Sequence, residues 1–163
     1  MYLSTIFTSF FALMVYAIPL ARHRQPTDLA CANPGDCYKI TTMDITSGES
    51  VQLRFTLYDD AKSTNNTTVC SASWEVGANT WPQKYIKCND DMFQWMFSKF
   101  DTVTDWNMEA AHDFKLGDSG ARAFANGTAT IDDFACQSGT AGVQYCSLKG
   151  DHVINLNKYA MIA

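Results

Sequence analysis

The stretch VQLRFTL, residues 51–57, decides the fold of this chain. Apolar and polar residues alternate along it without an error, so one face is expected to lie in a core and the other in water. This period of two is typical of a half-buried β-strand. Less regular runs of the same kind lie on both sides, separated by clusters of Gly, Asn, Asp and Ser that favour turns. They predict strands at residues 38–46, 67–74, 83–88, 93–97, 106–115, 121–131, 143–147 and 153–157.

Short strands at this spacing predict an all-β fold, a compact antiparallel barrel or sandwich of about eight to ten strands. One segment admits a second interpretation, because Phe93, Met96, Phe97 and Phe100 also follow the spacing of one helix face. A strand is favoured there, since Phe93, Trp95 and Phe97 share one strand face and the neighbouring segments are strands.

Length and charge narrow the class of protein. The chain has 163 residues, which fits one domain, here expected at residues 31–163. It carries 12 basic and 17 acidic side chains, a net charge of -5. Nucleic acid is therefore not an expected partner, because phosphate binding relies on an excess of Lys and Arg.

The first 17 residues resemble a secretory signal peptide. They contain no charged side chain, and the apolar run from Ile6 to Ala17 is too short for an untilted membrane span. Residues 18–30 carry two prolines and no apolar period, so they are expected to form a flexible leader. These features predict a secreted, extracellular protein with no membrane attachment after cleavage, although a signal anchor stays open because the start lacks Lys and Arg.

Six cysteines suit a disulfide framework in such a protein. Cys70 shares a strand face with Ala72 and Trp74, and Cys88 shares one with Ile86, so the two thiols can meet across adjacent strands. Cys31 and Cys37 flank a turn at residues 33–36. Sequential pairing, which adds Cys136–Cys146, is the simplest connectivity. No metal or cofactor is expected, because there is no Cys-x-x-Cys motif and the histidines are only His23, His112 and His152.

Catalytic candidates are few. His112 lies near Glu109 and Asp113, but on a strand it faces the opposite side from both, so a buried, hydrogen-bonded structural histidine is expected. The paired aspartates at residues 59–60, 90–91 and 132–133 lie at strand ends, where turn-forming carboxylates are expected rather than a glycosidase pair. No catalytic residue is therefore predicted.

Two kinds of surface feature remain. Trp74, Trp95 and Trp106 fall on expected core faces, which leaves Trp81, in a loop, as the candidate exposed ring for contact with a ligand. Asn65, Asn66 and Asn126 begin acceptor sequences for N-linked glycosylation.

Several segments together resemble a known family. The order Cys-Ser-Ala-x-Trp from Cys70, Cys-x-Asp from Cys88, an aromatic strand from Phe93 and a late cysteine pair is similar to the Alternaria major allergen family of small secreted fungal proteins. Further matching segments are Tyr38–Thr46, Val51–Tyr58, Tyr85–Asp91 and Phe134–Cys136, so the match runs from about Tyr38 to Leu156.

The resemblance implies a barrel-like fold, a role in fungal contact with plant hosts or as an allergen, and no catalytic residues. Some members dimerise through a cysteine near the N-terminus, a place that Cys31 occupies here; Cys37 close by makes an internal bridge the alternative to a homodimer. The expected function is that of a non-enzymatic effector or elicitor-like protein that binds a host extracellular protein or small ligands. The alternatives are a module that binds wall polysaccharides and a small secreted hydrolase such as a ribonuclease.

Overall fold

The computed structural model describes residue 31, residues 33–77 and residues 79–163. The predicted signal peptide and leader lie outside these residues. The described part contains ten strands and no helix long and apolar enough to cross a membrane. The strands are β1 Cys37–Ser47, β2 Ser50–Asp59, β3 Asn66–Glu75, β4 Ile86–Lys87, β5 Phe93–Thr102, β6 Asp105–Leu116, β7 Ser119–Ala129, β8 Phe134–Ser138, β9 Gln144–Leu148 and β10 Ile154–Ile162.

The strands form one antiparallel sheet in the order β3-β2-β1-β10-β7-β6-β5-β4. Two strands pair with the same edge of β1. Its first four residues pair with β10 and its last four pair with β9, which also pairs with β8. The sheet curls into a nearly closed barrel, so the predicted all-β antiparallel fold is confirmed.

The two ends of the sheet are joined by covalent and backbone contacts. The Cys70–Cys88 disulfide links β3 to the residue that follows β4, and the amide of Asn89 donates to the carbonyl of Val69 at 2.8 Å. These contacts cover strand edges that would otherwise be free to pair with another chain. Disulfides Cys31–Cys37 and Cys136–Cys146 are also present, so all three predicted bridges are confirmed.

Large and small side chains alternate between facing strands in the barrel interior. The inner face of β7 carries only small residues, with Ala121, Ala123, Ala125 and Gly127 in succession. This leaves room for bulky side chains from the other strands, as close packing requires. The largest fully buried ones are Trp95, Trp106, Tyr38, Phe55, Phe93 and Phe97.

The predicted strands differ from the observed ones mainly in five places. The segment from Phe93 is a strand, as favoured, and it runs on to Thr102. Only Ile86–Lys87 of residues 83–88 pairs in the sheet, and Ile131 lies in a short 3-10 turn after β7. β8 was not predicted because it has five residues and only two inward positions. β10 extends five residues beyond the predicted end, and its last four residues are exposed.

Candidate functional site

A groove lies at the end of the barrel where β2 begins and β3 and β5 end. Its volume is about 440 Å³, within the range typical of small-molecule sites. Its wall is aromatic: the Trp74 ring is 5.3 Å from the Phe100 ring, and the Trp81 ring is 6.2 Å from it. Val51 and Val103 add apolar surface. The rim is polar and consists of Ser47, Glu75, Asn79, Asp101, Thr102 and Gln144.

Trp81, the predicted ligand contact, lies in this groove. The expectation of a freely exposed ring is wrong, because the side chain is half-buried and packs against Phe97 and Phe100. The loop that carries it is tied to the barrel: the amide of Phe97 donates to the Pro82 carbonyl at 2.8 Å. A rigidly held ring loses little entropy when a ligand packs on it, so the anchoring favours binding.

The lining can hold an apolar or aromatic group and place hydrogen bonds around it. Trp74 is 7% exposed and was predicted to be a core residue; it is in the core, and one part of it faces the groove. The groove therefore combines rings with carboxylate, amide and hydroxyl groups at its edge, the composition that orients small ligands.

A buried charge cluster occupies the other end of the barrel. The Asp59 carboxylate is within 2.9 Å of His112 Nδ1 and of Lys158 Nζ, and it accepts a hydrogen bond from the Thr64 hydroxyl at 2.7 Å. The predicted turn role accounts for only part of these contacts, because the Asp59 side chain is fully buried. It does help the turn as well, by accepting from the Ala61 amide at 3.2 Å.

The cluster stabilises the charged form of Asp59. Burial acts to raise the pKa of this carboxyl, but the hydrogen bonds from His112, Lys158 and Thr64 outweigh it and lower the pKa to about 2. Tyr38, whose ring lies 4.3 Å from Lys158 Nζ, has its pKa raised by burial and by the charge of Asp59. The Asp59 charge is therefore compensated inside the barrel.

His112 is buried and hydrogen-bonded, as predicted, although its partner is a carboxylate 53 residues away in sequence. Phe93 stacks on the imidazole at a centroid distance of 3.7 Å, and the edge of Tyr38 also contacts it. A histidine paired with an aspartate is a common device for proton transfer. With 3% of its surface exposed, this imidazole is covered by protein rather than presented to a substrate.

The two acidic neighbours of His112 have other partners. Glu109 accepts hydrogen bonds from the Tyr85 and Tyr159 hydroxyls, and Asp113 pairs with the Arg122 guanidinium, which lowers the pKa of Asp113. Both carboxylates lie on the outer wall of the barrel, so neither forms a hydrogen bond with the His112 imidazole.

The other aspartate pairs lie in turns. Asp90 accepts from the Met92 amide, Asp91 forms an exposed ion pair with Lys87, and Asp133 accepts from the Thr130 amide. Asp132 is exposed. Contacts of this kind are those of turn-forming carboxylates. In the described ranges, no group of three His, Cys, Asp or Glu side chains is arranged to hold a metal ion.

The three glycosylation candidates differ in accessibility. Asn65 and Asn126 are exposed, and Asn126 lies on the outer face of β7 directly opposite Glu109. Asn66 is half-buried, and its amide donates to Asp90 at 2.9 Å. Within the overlapping pair, Asn65 is the more exposed residue, and its Oδ1 accepts a hydrogen bond from the Tyr58 hydroxyl at 3.0 Å.

No known family model matches the chain, and no curated protein is similar to it at a significant level. The family resemblance of the sequence accordingly stays a hypothesis. Three disulfides are typical of a protein that matures in an oxidising compartment.

Proposed function

We propose that this protein is a secreted, non-enzymatic effector or elicitor-like protein that acts by binding, and that the groove is its binding site. The observation that carries the proposal is the groove itself: about 440 Å³, with Trp74, Trp81 and Phe100 in its wall and a polar rim. Secretion is supported by the three disulfides and by the signal-like start of the sequence. The resemblance to secreted fungal allergens agrees with this role.

The groove suits an apolar or aromatic group that also carries hydrogen-bonding atoms. Such a group is supplied by a side chain of a host extracellular protein or by a small ligand. The ligand packs against Trp81 and Phe100 and forms hydrogen bonds with the rim, for example with Asp101 and Gln144.

Affinity capture with the folded protein tests the proposal. Extracellular host proteins and a panel of small aromatic ligands are offered to the wild type, to Trp81→Ala and to Ile131→Ala. Ile131 is an exposed apolar residue outside the groove, so it is the matched control. The expected result is a specific ligand whose affinity falls at least about tenfold in Trp81→Ala and is unchanged in Ile131→Ala. A specific ligand that binds Trp81→Ala as well as the wild type contradicts the assignment of the site.

A second candidate function is binding of wall polysaccharides. The Trp81 and Phe100 rings are tilted by only 33°, which makes them a short platform for a sugar ring. Retention on chitin, glucan or cellulose that is lost in Trp81→Ala would favour this candidate over a protein or small-molecule ligand.

A hydrolase such as a ribonuclease is the least supported alternative. The only histidine with a close buried carboxylate in the described part is His112, and it is covered by Phe93 and Tyr38. Wild type and His112→Gln are compared for RNA and glycan cleavage. No cleavage by either is expected; cleavage by the wild type that a stably folded His112→Gln lacks would reverse the ranking.

A further inference from the structure

A cluster of aromatic rings surrounds one carboxylate on the outer wall of the barrel. It consists of Tyr85, Glu109, Phe124 and Tyr159, and we call it the Glu109 patch. The Phe124 ring lies 6.3 Å from the Tyr85 ring on one side and 6.3 Å from the Tyr159 ring on the other. Glu109 Oε2 accepts hydrogen bonds from both tyrosine hydroxyls, at 3.0 Å and 3.5 Å. The carboxylate is thereby held in place among the rings.

The charge of Glu109 has no cationic partner within the part of the chain that the structure describes. Lys39, Lys87, Lys99 and Lys158 form ion pairs with other carboxylates, and on the same wall Arg122 is paired with Asp113. Burial, the hydrogen bond to Glu109 and the charge of Glu109 raise the pKa of Tyr85, so the hydroxyl that donates to this carboxylate stays protonated well above neutral pH. An unpaired carboxylate beside aromatic rings is the combination that binds guanidinium and ammonium groups.

Among the described residues, nothing pairs with the edge of β10 next to the patch. β1 pairs with β10 only as far as Asn157, whereas β7 pairs with it as far as Ile162. Residues 159–162 therefore have one edge that no described strand pairs with. The stretch is exposed, with Tyr159 at 55%, Met161 at 61% and Ile162 at 60%. It contains no proline or charged side chain, the features that usually prevent an edge from pairing with another chain.

We propose that the Glu109 patch and the open edge of β10 together form a docking surface for an extended, basic segment of a partner protein. The backbone of that segment pairs with residues 159–162, and an arginine or lysine side chain enters the patch. A second copy of this chain fits less well, because each copy carries a net charge of -5 and residues 159–163 offer no cation. The surface shares no residue with the groove, so it does not depend on the proposed function.

The test measures fluorescence anisotropy of a short labelled peptide of alternating threonine and valine with a central arginine. A second peptide has citrulline, the uncharged analogue, at the centre. A third keeps the arginine but carries methyl groups on alternate backbone nitrogens, which blocks strand pairing. The protein is produced without N-linked glycans, because Asn126 lies opposite Glu109. Variants are Glu109→Gln and, as a matched control, Glu49→Gln in the exposed turn between β1 and β2.

The wild type and Glu49→Gln are expected to bind the arginine peptide. Glu109→Gln, the citrulline peptide and the methylated peptide should each lower the affinity at least about tenfold. Glutamine still accepts the tyrosine hydrogen bonds, so Glu109→Gln should keep the wild-type unfolding midpoint. Failure of the wild type to bind the arginine peptide overturns the proposal, as does equal binding of the arginine and citrulline peptides. Dimerisation that depends on concentration and is abolished by Met161→Lys would assign the edge to a second copy instead.

Discussion

Replacement of Asp59 by asparagine should destabilise the protein strongly. Oδ1 of Asp59 accepts from Lys158 Nζ at 2.9 Å and from the Ala61 amide at 3.2 Å; Oδ2 accepts from His112 at 2.9 Å and from Thr64 at 2.7 Å. An amide keeps one acceptor and presents N–H groups at the other position. The Thr64 hydroxyl can turn and accept, but Lys158 then keeps a partly buried charge without a counter-charge.

Removal of one partner from a buried ion pair costs about 3–5 kcal/mol, and this range is the expected loss in the free energy of unfolding at pH 7. Urea unfolding followed by tryptophan fluorescence measures it. The matched control is Asp91→Asn, which removes an ion pair with Lys87 whose side chains are both more than 60% exposed. That variant should lose less than about 1 kcal/mol.

The same substitution has a defined pH dependence. The pKa of Asp59 is about 2 in the folded protein against 3.8 for the free side chain, so ionisation of Asp59 stabilises the fold above pH 4. A shift of this size corresponds to about 2 kcal/mol, lost as the pH falls through 2. The difference between wild type and Asp59→Asn should therefore narrow by about that amount between pH 5 and pH 2. A loss below about 1 kcal/mol at pH 7, or a difference that stays constant with pH, would refute the reasoning.

Three further predictions concern packing and covalent structure. Gly127→Ala should cost about 1–3 kcal/mol in urea unfolding, because the added Cβ would lie 2.4 Å from the Asn155 carbonyl, whereas Gly120→Ala in the same strand meets no atom within 4 Å and should be near neutral. Cys70→Ser/Cys88→Ser should lower stability by about 2–5 kcal/mol in the same assay, since it opens the link between the ends of the sheet. Non-reducing peptide mapping should recover Cys31 joined to Cys37; recovery of Cys31 joined to Cys31 of a second chain would show the covalent dimer instead.

The alternation of residues 51–57 is enough to predict the fold class because it reflects burial directly. Val51, Leu53, Phe55 and Leu57 all face the core, and the same argument places Cys70 and Trp74 inward on the neighbouring strand. The period of a strand depends only on which side of the sheet is buried. The predicted barrel and the Cys70–Cys88 disulfide follow from this local information.

The charge cluster depends on information that is not local. The alternation Val51, Leu53, Phe55, Leu57 of β2, extended by two residues, places Asp59 inward. The alternation of β10 likewise places Lys158 inward, so the sequence pattern alone could have predicted the orientation of each side chain. That they meet His112 depends on the register of three strands, which one sequence does not reveal. The groove was missed for the same reason: Trp81 was identified, but its contacts with Phe97 and Phe100 arise from tertiary packing.

The two ends of the barrel have opposite properties, and this difference bears on function. β2 begins at the groove, near Val51, and ends in the charge cluster at Asp59, about 26 Å away for an extended strand. At the cluster, Lys158 neutralises the charge of Asp59, and protein atoms cover His112. This end of the barrel is therefore closed by its own contacts. At the groove, the rings of Trp81 and Phe100 are packed on one side and open to a cavity on the other. Removal of apolar surface from water lowers the free energy, and the groove is where apolar rings still face a cavity. A ligand is therefore expected to bind at the groove rather than at His112.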